Sequence, residues 1–189
     1  MEHESITILI NRFNNVIDSL IDDFKKYNLD EEAIIFITKK TRNFVGFTNL
    51  ALLNVIFKVL EDVDLRYTFD DEIKLLDEII DNIFDNINES LDVILPDEDE
   101  EEHGHSHGHS HDHNHEHHHI DVDAVQGDIT NIRENLIFLK KIVLDLGQMV
   151  ISVLKFQSKN IKEDQFREDY CDFKSNIKEY KQEFDEKFK

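Results

Sequence analysis

Cysteine, proline and glycine are nearly missing from this sequence, and basic residues are outnumbered two to one. Cys171 is the one thiol in 189 residues. No internal disulfide can form, which fits a reducing compartment. There is one proline, Pro96, with five glycines and no tryptophan. Ile, Asn, Asp and Lys are abundant instead, and part of that bias reads as AT-rich coding rather than function. Long apolar runs are missing too: the longest uncharged stretch is Asn43–Phe57, fifteen residues, where a bilayer span needs about 20. The opening "MEHESITILI" is acidic where a secretory signal would be basic. We therefore expect a soluble, cytoplasmic protein with no membrane span.

The shortage of positive charge is uneven. The chain holds 42 acidic and 21 basic residues, a formal net charge of −21. Residues 1–95 carry 20 acids and 9 bases, residues 96–121 nine acids and no Lys or Arg, and residues 122–189 13 acids and 12 bases. Such a surface repels phosphate backbones, which excludes nucleic acid as a partner and favours cations.

Hydrophobic spacing is helical nearly throughout. Ile6, Leu9, Phe13, Val16, Leu20 and Phe24 recur at three- and four-residue steps. Asp30 can cap a second helix, with Glu31 and Glu32 against its positive end. Its β-branched "AIIFI" run admits a strand, but helix is the better reading. Gly46 and Thr48 punctuate the entry to a third segment, Asn49–Asp62, apolar on almost every side and so suited to the centre of a bundle. Thr68 and Asp71 resemble a capping box for a fourth helix, with a stripe from Ile73 to Ile87 that Pro96 follows. In the fifth, apolar residues alternate three- and four-residue steps from Val122 to Val153, a sustained heptad that marks a helix packing along another helix. The sixth repeats Phe166, Tyr170, Phe173, Ile177, Tyr180 and Phe184. The expectation is an all-α antiparallel bundle of about six helices. Residues 1–95 supply its N-terminal helices and 122–189 a long helical hairpin completing the same bundle. Residues 96–121 form a flexible acidic, His-rich loop between helices four and five.

That loop holds "HGHSHGHSHDHNHEHHH", His103 to His119, with ten of the eleven histidines. Its end, His115-Glu116-His117-His118-His119, spells H-E-x-x-H. In a zinc protease that pattern puts two imidazoles on one helical face with the Glu poised to activate water. Here histidine fills most odd positions, so one Glu creates the pattern by coincidence. Gly104 and Gly108 oppose a helix, and no third ligand lies outside the tract, His3 being the only other histidine. Ferritin-type di-metal bundles need Glu-x-x-His on two helices, and no expected helix contains a histidine. Ser-His-Asp and Cys-His catalysis would borrow an imidazole from a mobile loop, which cannot preorganise a transition state. Neither G-x-x-x-x-G-K-[ST] nor G-x-G-x-x-G occurs. We expect no enzymatic activity.

Asp77, Asp81 and Asp85 stack at four-residue spacing and read as a solvated face opposite an isoleucine stripe. Cys171 reads as a surface thiol, and His3 as solvated ahead of the first helix.

Metal collection suits the tract better. Neutral imidazole favours Zn²⁺ or Ni²⁺, with Cu²⁺ and Co²⁺ also possible, and near neutral pH most of these side chains are deprotonated. The candidate ligands are His103, His105, His107, His109, His111, His113, His115, His117, His118 and His119. Alternate histidines stand about 6–7 Å apart on an extended chain, so one ion requires the chain to fold back, which Gly104 and Gly108 ease. Four-coordinate geometry lets ten imidazoles close on the order of two ions. The preceding "DEDEEE", with Asp112 and Glu116, adds oxygen ligands and a field that concentrates cations. The tract resembles the His-rich loops of cation-diffusion and ZIP-type zinc transporters and the His-rich tails of nickel-insertion GTPases. The resemblance is compositional and covers 17 of 189 residues. Those families' membrane helices and phosphate loop are absent, so their activities are not implied.

The reading is a soluble helical protein that binds transition metal ions through a flexible histidine loop, for buffering, storage or delivery. Its alternative is a helical scaffold or oligomerisation module, self-associating or binding a protein through the heptad faces of helices five and six, with the loop as a spacer. A lesser alternative is a helical regulator docking on a membrane transporter.

Overall fold

The computed structural model of the protein describes residues 2–26, 29–61, 66–96 and 120–188, with side chains except at 2–5 and 47–52. The described residues form five helices: α1 (Glu2–Phe24), α2 (Glu31–Glu61), α3 (Asp70–Ile94), α4 (Gln126–Gln157) and α5 (Glu163–Phe188). The all-α bundle is the fold. The six periodic segments fall on five helices because the second and third are continuous in α2. Gly46 costs a helix about 1 kcal/mol against alanine but does not break it, and no proline lies between Glu31 and Glu61. Asp30 caps α2 as expected, its Oδ1 accepting the Ala33 amide at 2.8 Å, and "AIIFI" is helical.

α4 takes the place at the centre, packing against all four other helices. Ile132, Leu136, Leu139, Ile142, Val143, Leu146, Val150 and Val153 are fully enclosed, covering more than one face. The expectation that Asn49–Asp62 would sit centrally is therefore corrected. That part of α2 buries Leu53, Ile56, Phe57 and Leu60 while Val55 is 46 % exposed, a one-sided helix. The heptad beginning at Val122 is corrected as well: α4 starts at Gln126, and Val122 and Val125 precede it in a turn.

Ion pairs and contacts fix the directions. Asp18 pairs with Lys140 and Ile10 meets Gly147, so α1 and α4 run antiparallel. Between α4 and α5, Ser152 donates to Asp169 and Lys141 pairs with Glu183, again antiparallel. Glu72–Lys174 and Glu78–Lys181 make α3 and α5 parallel. A polar seam joins α3 and α4: Asn131 donates to Ser90 at 2.9 Å, Asn86 to Asn135 at 3.4 Å, and the fully buried Asn135 to the Asn131 carbonyl at 3.0 Å. Matched amides within an apolar interface favour one register over a slipped one.

The capping box at Thr68 does not form. Phe69 occupies the α3 N-cap without a side-chain bond, because its ring is 1 % exposed and burial of an aromatic outweighs a cap. Thr68 serves differently: its carbonyl accepts the Tyr170 hydroxyl at 2.7 Å. Around it Tyr67, Phe69, Phe156, Phe166 and Tyr170 interlock, with Tyr67 edge-on to Phe166 at 4.9 Å and Phe156 stacked on Phe166 at 4.3 Å. The α4–α5 turn closes beside them. Asn160 N–H donates to Lys155 and Lys159 N–H to Phe156, with Lys159 at φ 59° where this motif ordinarily carries glycine.

Three substitutions test this packing by urea unfolding. Lys159→Gly should add about 1 kcal/mol by relieving the left-handed strain. Gly46→Ala should add about 0.5–1 kcal/mol, because the new methyl meets nothing within 4 Å. Gly147→Ala should cost about 1 kcal/mol net. Its Cβ would stand 2.8 Å from Ile10 Cγ2, and overpacking of about 1–3 kcal/mol exceeds the helix-propensity gain of about 1.

Candidate functional site

The ten candidate ligands, His103, His105, His107, His109, His111, His113, His115, His117, His118 and His119, lie outside the described residues, as do the H-E-x-x-H pattern and Asp97–Glu102. The residues that hold the two flanks of this segment are described. At the departing side, α3 ends with the Leu95 amide on the Leu91 carbonyl at 2.8 Å. Arg42 of α2 then clamps the exit, donating to the Leu95 carbonyl at 2.8 Å and pairing with Asp92 at 2.7 Å. At the returning side Ile120 is buried, and its amide donates to Glu31 Oε1 at 3.1 Å. Asp121 Oδ1 then accepts the Asp123 amide at 3.1 Å in the turn leading to α4.

Both anchors thus stand on α2. They are eleven residues apart, or about 16 Å along the helix axis. The segment leaves and re-enters at the end of the bundle where α3 stops and α4 starts, opposite the aromatic cluster. Neither anchor was visible in sequence. Glu31 carries a first-turn acid signal that explains itself locally, and Arg42 has no motif. Only the antiparallel return of α3 brings Leu95 to it.

His3 is corrected: it lies within the first turn of α1, not ahead of it. Cys171 is exposed, as expected of a surface thiol. Asp77, Asp81 and Asp85 form an exposed face opposite Ile79, Ile80, Ile83 and Ile87. Partial burial, then repulsion from Asp77 and Asp85, pushes the Asp81 carboxyl above its ordinary 3.8. Among the described residues no three His, Cys, Asp or Glu side chains converge as metal ligands, and no helix is long and apolar enough to cross a membrane.

Two polar constellations on α5 show what the described acids do. Glu72, 6 % exposed, meets Lys174 at 2.9 Å. Burial alone lowers the Lys174 pKa, but hydrogen bonds to Glu72 and Tyr170 outweigh it and hold the ammonium above its ordinary range. Asp145 accepts from Asn176 at 2.8 Å and from the Tyr180 hydroxyl, which burial and then this carboxylate push up in pKa. Asp145 and Asp169 border a cleft of about 290 Å³ with Met149 and Phe173. Asp145 Oδ2 is engaged by Asn176 and Tyr180, and the two Asp169 oxygens by Ser152 and Gln165. These groups tie α5 to α3 and α4; among the described residues none is paired with an imidazole or thiol that could make a nucleophile.

Protein-family models, curated proteins and solved structures contain no match to this chain. The functional reading rests on its own residues.

The acidic row carries a prediction with a definite sign. A raised folded-state pKa means that ionised Asp81 is disfavoured in the fold at neutral pH. Asp81→Asn should therefore stabilise the protein at pH 7, by up to about 0.5 kcal/mol given like-charge i,i+4 pairs on an exposed face. The gain should shrink as pH falls through the folded-state pKa towards 3.8. Thermal melts of both proteins at a series of pH values check it; a loss of stability at pH 7 would mean the row holds a cation.

Proposed function

We propose that this protein binds transition metal ions, Zn²⁺ or Ni²⁺ foremost, through the histidines between His103 and His119, and that it buffers, stores or delivers them. The observation that carries the reading is the segregation of ligands. Ten of eleven histidines stand in 17 residues, directly after six consecutive acids, while the described core is apolar with few buried polar groups. Ligand chemistry and folding are allotted to different parts of the chain. The anchors at Arg42 and Glu31 support it, because they tie the two flanks to one end of a body that owes nothing to metal ligands.

The reading places the protein in a reducing, cytoplasmic compartment, where thiol-free imidazole sites exchange ions readily. We further propose that it is not an enzyme: H-E-x-x-H arises from the alternation of histidines, and His3 is the one histidine outside the tract. The heptad faces of α4 and α5 that the scaffold alternative needs are turned inward, with Leu139, Val143, Ile177 and Phe184 enclosed, so the metal reading is the better supported.

A metal collector has a characteristic titration. Equilibrium dialysis of the full chain against Zn²⁺ and Ni²⁺ should give on the order of two rapidly exchanging ions. Affinity should fall steeply from about pH 7.5 to 5.5, because protons and metal compete for nitrogens of pKa about 6.5. His115→Ala or His119→Ala alone should change little, since neighbouring imidazoles substitute, whereas replacing all ten histidines by serine should abolish binding. One-to-one binding lost on a single substitution would point to a fixed site, and no binding at micromolar metal would leave the segment a spacer.

A further inference from the structure

In a chain with twice as many acids as bases, one cleft gathers three basic side chains. Between the C-terminal end of α1 and the N-terminal end of α4 lies a space of about 480 Å³ bordered by Lys25, Lys26 and Arg133, with Asp123 as its one carboxylate. That volume is in the range of small-molecule sites. Phe24, Leu29 and Ile129 give it an apolar wall.

The two lysines have a local explanation. They sit after the end of α1, where cations complement the helix dipole, and each pairs three residues back, with Asp22 at 3.2 Å and Asp23 at 2.8 Å. Such exposed pairs are weak and exchange partners readily. Arg133 has no such explanation. It is half-buried and has no ion-pair or hydrogen-bond partner among the described residues, although a guanidinium presents five donors. Beside it α4 begins at Val125 without a side-chain cap, so first-turn amides also lack an acceptor. Arg133 and these amides are donors without an acceptor among the described residues.

We propose that this cleft binds an organic phosphate: a phosphate monoester head held by Arg133 with Lys25 and Lys26, and a small apolar body against Phe24, Leu29 and Ile129. The guanidinium can make two parallel hydrogen bonds to one phosphate, and the lysines add mobile point charges. A phosphate monoester offers three strong acceptor oxygens to these three side chains and the first-turn amides, where a monocarboxylate offers two.

The test is calorimetric titration of phenyl phosphate into the full chain at neutral pH. Excess chelator excludes phosphate held through metal on the histidines, so the outcome is independent of the metal reading. Saturable one-to-one binding is expected, with benzoate weaker and phenol inert. Arg133→Gln should weaken phenyl phosphate about tenfold or more, the loss expected when charged hydrogen bonds are removed. Lys25→Gln with Lys26→Gln should weaken it too, while Lys178→Gln, an exposed charge on α5, should not. Circular dichroism verifies that each variant is folded. No saturable binding, or binding that Arg133→Gln leaves intact or Lys178→Gln weakens equally, would overturn the proposal.

Discussion

The burial of α4 is the constraint on which the rest of the structure depends. From Ile132 to Val153 its apolar residues occupy too much of the circumference for one partner to cover, and a helix of that kind is stable only when enclosed. The other four helices answer that demand, each packing on it. Gly147 admits α1 at close range through Ile10. Asn131 and Asn135 set the register against α3 where apolar contacts alone would let it slide. On the third side α5 contributes Phe173, Ile177, Tyr180 and Phe184.

The two ends of the bundle are built from different chemistry. One is closed by Tyr67, Phe69, Phe156, Phe166 and Tyr170, where interlocking rings join the start of α3 to the α4–α5 turn. At the other, the connections are polar: Arg42 on the Leu95 carbonyl, Glu31 on the Ile120 amide, and the Lys25, Lys26 and Arg133 cleft. The flanks of the histidine segment belong to this second end. Under the proposed metal binding, this division would leave the fold unchanged as ion occupancy changes.

Much of this was legible in the sequence, and the failures have physical causes. Periodicity identified the helices because one-sided burial imposes a 3.6-residue repeat. It overdivided α2 because Gly46 looks like a boundary when its neighbours in space are unknown. Composition made Asn49–Asp62 seem central, since apolar content alone does not distinguish a helix enclosed on all sides from one that leaves Val55 in water. Thr68 matched a capping signature, but the burial of Phe69 was worth more than a cap. The histidine segment was legible only as a composition suited to metal ligation. Its anchors, and the cleft at Arg133, depend on chain reversals that no local pattern encodes.

The central claim is that the bundle folds without metal and that the histidine segment carries the ligand chemistry separately. Thermal unfolding followed by circular dichroism, on the full chain in excess chelator, tests it most directly. The account predicts high helicity, a single cooperative transition and an unchanged helical signal when Zn²⁺ is added. A chain that is unfolded in chelator and gains helix only with metal would contradict it, and would make the histidines part of the fold.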